Sequence, residues 1–231
     1  MLGRLIAANN EGVVMNRAFA WWEGRISYCL RKRAGWGKEY HEKDNDLIEA
    51  CKQHEAAYKR KNIGRHNIML VHPFYLHLSH MHKVKSIEAK AEADQYVKNM
   101  MQLLGMRRKP SVGVVALETI HHYAACTSLL LEQGLVDKVI FTGYDSGMPM
   151  DTTELNHFSK VYFGGGYNNY CLYTSIKKMQ SRTESKNIYG IHGMILESPI
   201  KRGSIISNSV SGVENMITID KLVNKLGLKY C

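Results

Sequence analysis

A cysteine that follows three consecutive glycines carries the clearest chemical signal in this sequence. Residues 161–163 predict a buried strand, residues 164–166 are all glycine, and residues 170–179 predict a helix. The first amide groups of a helix lack intrahelical partners and lie at the positive end of its dipole, so they can stabilise an anion or an oxyanion. Cys171 lies in the predicted first turn, where a thiol loses its proton more readily than a free one. The segment predicts a ligand site with a candidate nucleophile, and an inert packed thiol is the alternative.

The three consecutive glycines at 164–166 indicate an unusual backbone conformation. Glycine weakens regular strands and helices, so three in a row predict either unusual φ angles or the close approach of another backbone segment. The run is therefore harder to explain as ordinary structure than the other features of this segment.

Polar and ionisable side chains also follow the other predicted strands. In an open α/β sheet, ligands bind beyond the carboxyl ends of the strands, so residues at these ends can share one site. Asp145 and Glu118 are the candidate general bases, although a helix-cap or turn role suits both equally well. The candidate ligand-binding residues are His72, Tyr75, His121, Tyr144, Gly165, Gly166, Tyr167, Asn168 and Asn169. For His72, which precedes a proline, a structural hydrogen-bonding role is the alternative.

The histidine groups of the sequence do not predict a metal site. His77, His80 and His82 lie close together in the sequence, but His80 and His82 would share a face only in an extended chain, and no carboxylate lies close by to complete a site. His121 and His122 are adjacent, so a helix cannot direct both side chains at one ligand, and one of them is expected to reach the site. We expect no metal and no cofactor.

The segment around Cys171 resembles the isochorismatase-like cysteine hydrolases, a family of three-layer α/β proteins that includes nicotinamidases. The matching residues, within about positions 138–196, are Val161-Tyr-Phe-Gly-Gly-Gly-Tyr-Asn-Asn-Tyr-Cys171-Leu-Tyr-Thr-Ser and the preceding Ser146-Gly-Met-Pro-Met-Asp-Thr-Thr-Glu-Leu155. The resemblance implies that Cys171 is the nucleophile and that residues 166–169 form the oxyanion site. The family also uses an aspartate after the first strand and a lysine after a later one. Here His72 stands at the first place and residues 142–146 contain no lysine, so Asp145, Glu118 or His72 would have to act as the base.

Two regions of the chain predict different structure. Residues 1–66 predict a helical N-terminal segment, with helices over 17–33 and 46–59, that packs on the remainder of the chain. Residues 67–231 predict strands at 68–71, 112–117, 139–142, 161–163 and 188–196, and helices at 86–104, 123–133, 152–158, 170–179 and 219–226. This alternation predicts a three-layer, Rossmann-like α/β domain with a parallel sheet and helices on both faces.

The composition limits the classes of partner. The 231-residue chain carries a formal net charge of +10, with basic clusters at 31–33, 59–61, 107–109 and 177–178. Such a surface attracts anionic small molecules and nucleic acids alike, but no recognisable nucleic-acid module accompanies it, so nucleic acid is not the favoured partner. No apolar run is long enough to span a membrane, and five widely spaced cysteines favour reduced thiols in a cytoplasm. A homo-oligomer is compatible with the sequence.

These features favour an enzyme, a hydrolase that acts on a small anionic or nucleotide-like metabolite. Cys171 or an activated water would be the nucleophile, and Asp145 or Glu118 the base. One alternative is a non-catalytic protein that sequesters a nucleotide-like ligand, with tyrosines near the strand ends stacking on the base. The other is a basic nucleic-acid-associated protein, whose binding would weaken steeply with added salt.

Overall fold

The computed structural model describes residues 44–60, 63–74, 86–143, 158–181, 187–197 and 205–230. The described strands form one six-stranded sheet in the order β3-β2-β1-β4-β5-β6, and every neighbouring pair in it is parallel. The strands are β1 (His66–Val71), β2 (Val112–Glu118), β3 (Lys138–Phe141), β4 (Lys160–Gly166), β5 (Ile188–Leu196) and β6 (Asn215–Ile217). The predicted parallel α/β architecture is confirmed.

Helices cover both faces of this sheet. They are α1 (Asp44–Tyr58), α2 (Ile87–Gly105), α3 (Ile120–His122, continued by the π-helical Tyr123–Thr127 and by Ser128–Glu132), α4 (Cys171–Gln180) and α5 (Ile219–Leu226). Alternate residues of a strand point to opposite faces, so Ile68 and Leu70 of β1 pack with α2 while Met69 and Val71 pack with α4. Because both faces are covered, the strands are apolar throughout, and every residue of β2 is buried.

Local signals set the ends of the best predicted helices. Ser86 caps α2, since its Oγ accepts a hydrogen bond from the Ala89 amide at 3.0 Å. Thr218 caps α5 in the same way, and Gly227 ends that helix in the left-handed conformation, at a φ of 60°. The helix predicted over 219–226 and the strand predicted over 188–196 have the predicted bounds.

Three elements differ from the sequence-based expectation. Strand β4 continues through the glycines to Gly166. The neighbouring strands β1 and β5 lie so close to Gly165 and Gly166 that only residues without side chains fit there. The helix after β2 begins at Ile120 and contains a π-helical turn, and β6 is a strand that the sequence did not indicate. The helix predicted over 17–33 and residues 152–157 of the helix predicted over 152–158 lie outside the described residues.

The described part of the N-terminal region packs on the sheet domain. Helix α1 buries Cys51 in the core that contains α2 and α3, and His54 Nδ1 lies 2.7 Å from the Tyr123 hydroxyl of α3. Among the described residues, no helix combines the length and the apolar character needed to cross a membrane.

Candidate functional site

The strand order singles out the carboxyl ends of β1 and β4. From β1 the chain moves outward to β2 and β3 on one side, and β4 to β6 lie on the other side, so the direction of winding reverses between β1 and β4. Such a reversal opens a crevice at the carboxyl ends of the two central strands, where α/β proteins bind ligands. His72 follows β1, Glu118 ends β2 and Cys171 follows β4, so all three residues lie at this edge.

His72 is held at the crevice by a special backbone conformation. Its amide donates to the Leu117 carbonyl oxygen at 3.0 Å, and its φ is 44°, the left-handed region that residues other than glycine seldom adopt. The side chain is buried, and its Nδ1 lies 2.8 Å from Glu118 Oε1. The local strain holds the imidazole beyond the end of β1, which is a common arrangement at functional sites.

Glu118 is a buried carboxylate surrounded by four donor groups. Its Oε1 lies 2.8 Å from His72 Nδ1 and 3.1 Å from His122 Nδ1, and it accepts the Thr119 amide at 3.1 Å. Its Oε2 accepts the Thr127 hydroxyl at 3.0 Å. The carboxylate also faces the N-terminus of α3, whose dipole favours negative charge. The charge of Glu118, although only 1% of the residue is exposed, is therefore well compensated.

Cys171 begins α4 and faces His72. Its thiol is buried, with 8% of the residue exposed, and it lies near enough to the His72 side chain to raise the pKa of that imidazole. No side chain caps the N-terminus of α4 at Tyr170, and the Leu172 amide donates to the Tyr167 carbonyl oxygen at 3.2 Å, so the helix presents mainly its dipole to an anion near the thiol. The thiol, the imidazole and the carboxylate lie in the order of the three groups of a catalytic triad.

The charges of this trio stabilise one another. Burial on its own lowers the pKa of His72, but interactions with Cys171 and with the Glu118 carboxylate raise that pKa to about 10. Burial likewise acts to raise the pKa of Glu118, but its hydrogen bonds to His122 and His72 and their positive charge hold that pKa well below its usual range. At neutral pH the site therefore contains an imidazolium at His72 and a carboxylate at Glu118.

The glycines of β4 let the strand approach its neighbours closely. Gly165 has a φ of 99°, and a Cβ added there would overlap the carbonyl oxygen of Val71 in β1. A Cβ added at Gly166 would lie 2.6 Å from Leu196 Cβ in β5. The peptide bond between Gly166 and Tyr167 is cis. The expectation of unusual φ angles or close backbone approach is confirmed, and the chain leaves β4 within reach of the end of β1.

Both the amide nitrogen and the amide oxygen of the Asn168 side chain form hydrogen bonds within the protein. Its Nδ2 donates to Glu197 Oε1 at 2.9 Å, to Ser207 Oγ at 3.1 Å and to the Ser209 carbonyl oxygen at 3.1 Å. Its Oδ1 accepts the Ser211 amide at 2.9 Å. Asn168 thus ties the turn before Cys171 to the chain after β5. Asn169 makes a more exposed bond, in which the Ser211 hydroxyl donates to its Oδ1.

The structure brings three of the predicted site residues together, and several of the others lie outside the described residues. His72 is hydrogen-bonded to Glu118 and interacts with Cys171. Tyr167 is buried and belongs to the apolar core on the α2 side. Tyr75, Tyr144, Asp145 and the side chain of His121 lie outside the described residues.

Two further residues contact Glu118: His122, the other member of the adjacent histidine pair, and Thr127, which was not considered from the sequence. His122 binds Glu118 from the first turn of α3, four residues along the helix, which is a spacing the sequence shows. Thr127 reaches Glu118 from nine residues away, through the π-helical turn. No ordinary helical spacing could have indicated Thr127.

The same cluster contains the atoms of a metal site. One ligand atom each from His72, Glu118 and His122 lie within 4.8 Å of one another, and all three residues are buried. Both imidazoles, however, turn Nδ1 toward the same carboxylate oxygen, as ring N–H donors do. A divalent cation such as Zn²⁺ would need these nitrogens deprotonated and directed at the metal.

Comparisons with known proteins add nothing to this geometry, since no family model, curated protein or solved structure matches the chain.

Proposed function

We propose that the protein is a cysteine-dependent hydrolase that acts on a small anionic or nucleotide-like metabolite. The observation that carries the proposal is the arrangement of three buried residues, in which His72 is hydrogen-bonded to Glu118 and also interacts with Cys171. A nucleophile, a base within reach of it and a third group that orients the base form the usual arrangement of covalent catalysis.

In the proposed reaction, Cys171 attacks an electrophilic carbon of the substrate. His72 already carries a proton as an imidazolium, so in this scheme Cys171 reacts as a thiolate. The sulfur forms a bond to the carbon, and the carbon–leaving-group bond breaks as His72 gives its proton to the leaving group. Water then loses a proton to the neutral His72 and attacks the thioester, which releases the acid and restores the thiolate and the imidazolium. Because His72 Nδ1 is bound to Glu118, Nε2 is the ring nitrogen that exchanges the proton in this scheme.

The other residues of the site would position these groups. Glu118 fixes the imidazole and balances its charge, while His122 and Thr127 hold Glu118 in place. The N-terminus of α4 would stabilise negative charge that develops on the substrate oxygen. That dipole and the net charge of +10 both favour an anionic substrate.

This proposal extends the resemblance to the isochorismatase-like hydrolases with one change. His72, after β1, would take the place of the aspartate that the family uses there, and Glu118 would support it. A histidine can perform the same proton transfer, since its ring nitrogens both accept and donate protons.

Thiol labelling and ester hydrolysis test the proposal together. Iodoacetamide should alkylate Cys171 faster than Cys51 and Cys126, which are also buried, as measured by peptide mass spectrometry. Hydrolysis of p-nitrophenyl acetate should fall at least about 100-fold in Cys171→Ala and should persist in Cys126→Ala, the matched control. Thiol chemistry would be refuted if Cys171→Ala hydrolysed the ester as fast as the unmodified protein.

A divalent-metal centre at His72, Glu118 and His122 is a second candidate, which the 4.8 Å cluster favours. Chelation by EDTA should then abolish hydrolysis while alkylation of Cys171 leaves it intact. The opposite pattern supports the cysteine mechanism. Ligand binding without turnover would instead support a sequestering protein.

A further inference from the structure

A cavity lies at the edge of the sheet opposite Cys171. It has a volume of about 250 Å³ and lies where β1, β2 and β4 begin, beside the last turn of α5. Tyr162 and Gly166 are four residues apart in β4, so the two edges are separated by roughly 13 Å of strand. The polar residues that line the cavity are His66, Lys109, Ser111, Lys160, Tyr162 and Lys225.

Tyr162 places a buried polar group in the wall of this cavity. None of its residue surface is exposed, and its hydroxyl has no hydrogen-bond partner among the described residues. Burial, with a smaller effect of Tyr189, raises the pKa of Tyr162 to about 12, so the hydroxyl stays protonated and can donate. His66 Nδ1 is a second buried atom without a partner in the described part of the chain. Because an unsatisfied buried polar group is costly, both atoms favour a polar ligand at this position.

The lining is strongly positive. Lys109, Lys160 and Lys225 contribute three ammonium groups, and no carboxylate residue lines the cavity. In the described residues none of the three lysines forms an ion pair. Tyr189 stacks on Tyr162 at 5.1 Å between ring centroids, and Lys225 Nζ lies 4.3 Å from the Tyr189 ring centroid. The aromatic pair holds that cation beside the cavity.

We propose that this cavity binds a phosphate-bearing small molecule. Three uncompensated lysines supply positive charge, and the Tyr162 hydroxyl donates a hydrogen bond to a phosphate oxygen. The volume of about 250 Å³ accommodates one or two phosphate groups with a small substituent. It lies below the roughly 300–1,000 Å³ typical of sites for larger ligands. This proposal does not depend on the chemistry of Cys171.

A compact phosphate ligand fits this lining better than a nucleic-acid strand. Nucleic acids are bound along extended positive grooves that follow several consecutive phosphates. Here the three lysines converge on one cavity, and Tyr162 stacks on Tyr189 inside the protein. The ligand therefore enters the cavity with its charged end, and its recognition depends on a few convergent groups.

Calorimetric titration with pyrophosphate tests this site at a constant ionic strength set by potassium chloride, because chloride screens non-specific attraction equally in all samples. Pyrophosphate should bind the unmodified protein and raise its melting temperature. Tyr162→Phe should weaken the affinity about tenfold or more, since a hydrogen bond to a charged group is lost. The double variant Lys160→Gln with Lys225→Gln should weaken it at least as much.

Two controls keep this test decisive. Lys98→Gln removes the same charge from an exposed position of α2 and should leave the affinity unchanged. Tyr162→Phe removes only a hydroxyl without a partner and should melt no lower than the unmodified protein. Pyrophosphate binding that survives both cavity variants would place the anion elsewhere and overturn the proposal, as would no binding at all. Binding of a single-stranded oligonucleotide, lost in the same variants while pyrophosphate fails to bind, would also overturn it.

Discussion

Replacing Glu118 with glutamine tests the charge arrangement of the candidate site. The change keeps the shape of the side chain but removes the negative charge and one of its two acceptor oxygens. His72, His122, Thr119 and Thr127 all direct donor groups at this carboxylate. Because one partner of a buried pair is lost, the free energy of unfolding at pH 7 should fall by roughly 3–5 kcal/mol.

The pH dependence of the free energy of unfolding measures the coupling between His72 and Glu118 in a second, independent way. The pKa of His72 is raised from 6.5 to about 10 in the folded protein, by interactions with Cys171 and Glu118 that outweigh burial. A group with a raised folded-state pKa contributes stability that is fully present below its unfolded pKa and is lost as the pH rises through its folded pKa. The difference between 6.5 and about 10 corresponds to roughly 5 kcal/mol, which the unmodified protein should lose between these pH values. In Glu118→Gln at least half of this pH dependence should disappear.

Urea unfolding at intervals from pH 6 to pH 10 measures both effects, with the titration of His72 followed by NMR of its ring. Glu132→Gln is the matched control, since Glu132 Oε1 lies 2.9 Å from His54 Nε2 and its side chain is 38% exposed. This exposed pair should contribute no more than about 1 kcal/mol. If Glu118→Gln retained the pH dependence of the unmodified protein, the charge coupling between His72 and Glu118 would be refuted.

Other variants test how the backbone and the turn hold the site. Gly165→Ala should lower the free energy of unfolding by roughly 3 kcal/mol or more, because its Cβ would overlap the Val71 carbonyl and its φ is 99°. Gly134→Ala is its control, with a φ of 69° and open space around the added Cβ, and a similar loss there would rule out the overlap as the cause. Asn168→Ala should cost roughly 2–3 kcal/mol through its lost hydrogen bonds, and Asn169→Ala less than about 1 kcal/mol, both by urea unfolding. Equal losses in the two asparagine variants would contradict the structural role of Asn168.

Sequence periodicity was sufficient to predict the sheet and most of its helices. Apolar runs between turn residues defined the strands from β1 to β5, because strands covered on both faces contain no polar alternation. The short strand β6 was not predicted, since the three residues Asn215–Ile217 are too few to show an alternating pattern. The π-helical turn of α3 was not predicted either, because the 3.6-residue spacing used to recognise helices applies only to a regular α-helix.

The sequence by itself also located His72, Glu118 and Cys171 at the ends of strands, since a parallel sheet collects the residues that follow its strands at one edge. It could not decide which base serves Cys171, because Asp145, Glu118 and His72 all satisfied the same rule. Only the tertiary structure decided how His72, Glu118 and Cys171 lie relative to one another. Strand order makes β1 the neighbour of both β2 and β4, so His72 lies between the carboxylate and the thiol. Such an order depends on long-range packing, which no local pattern of residues encodes.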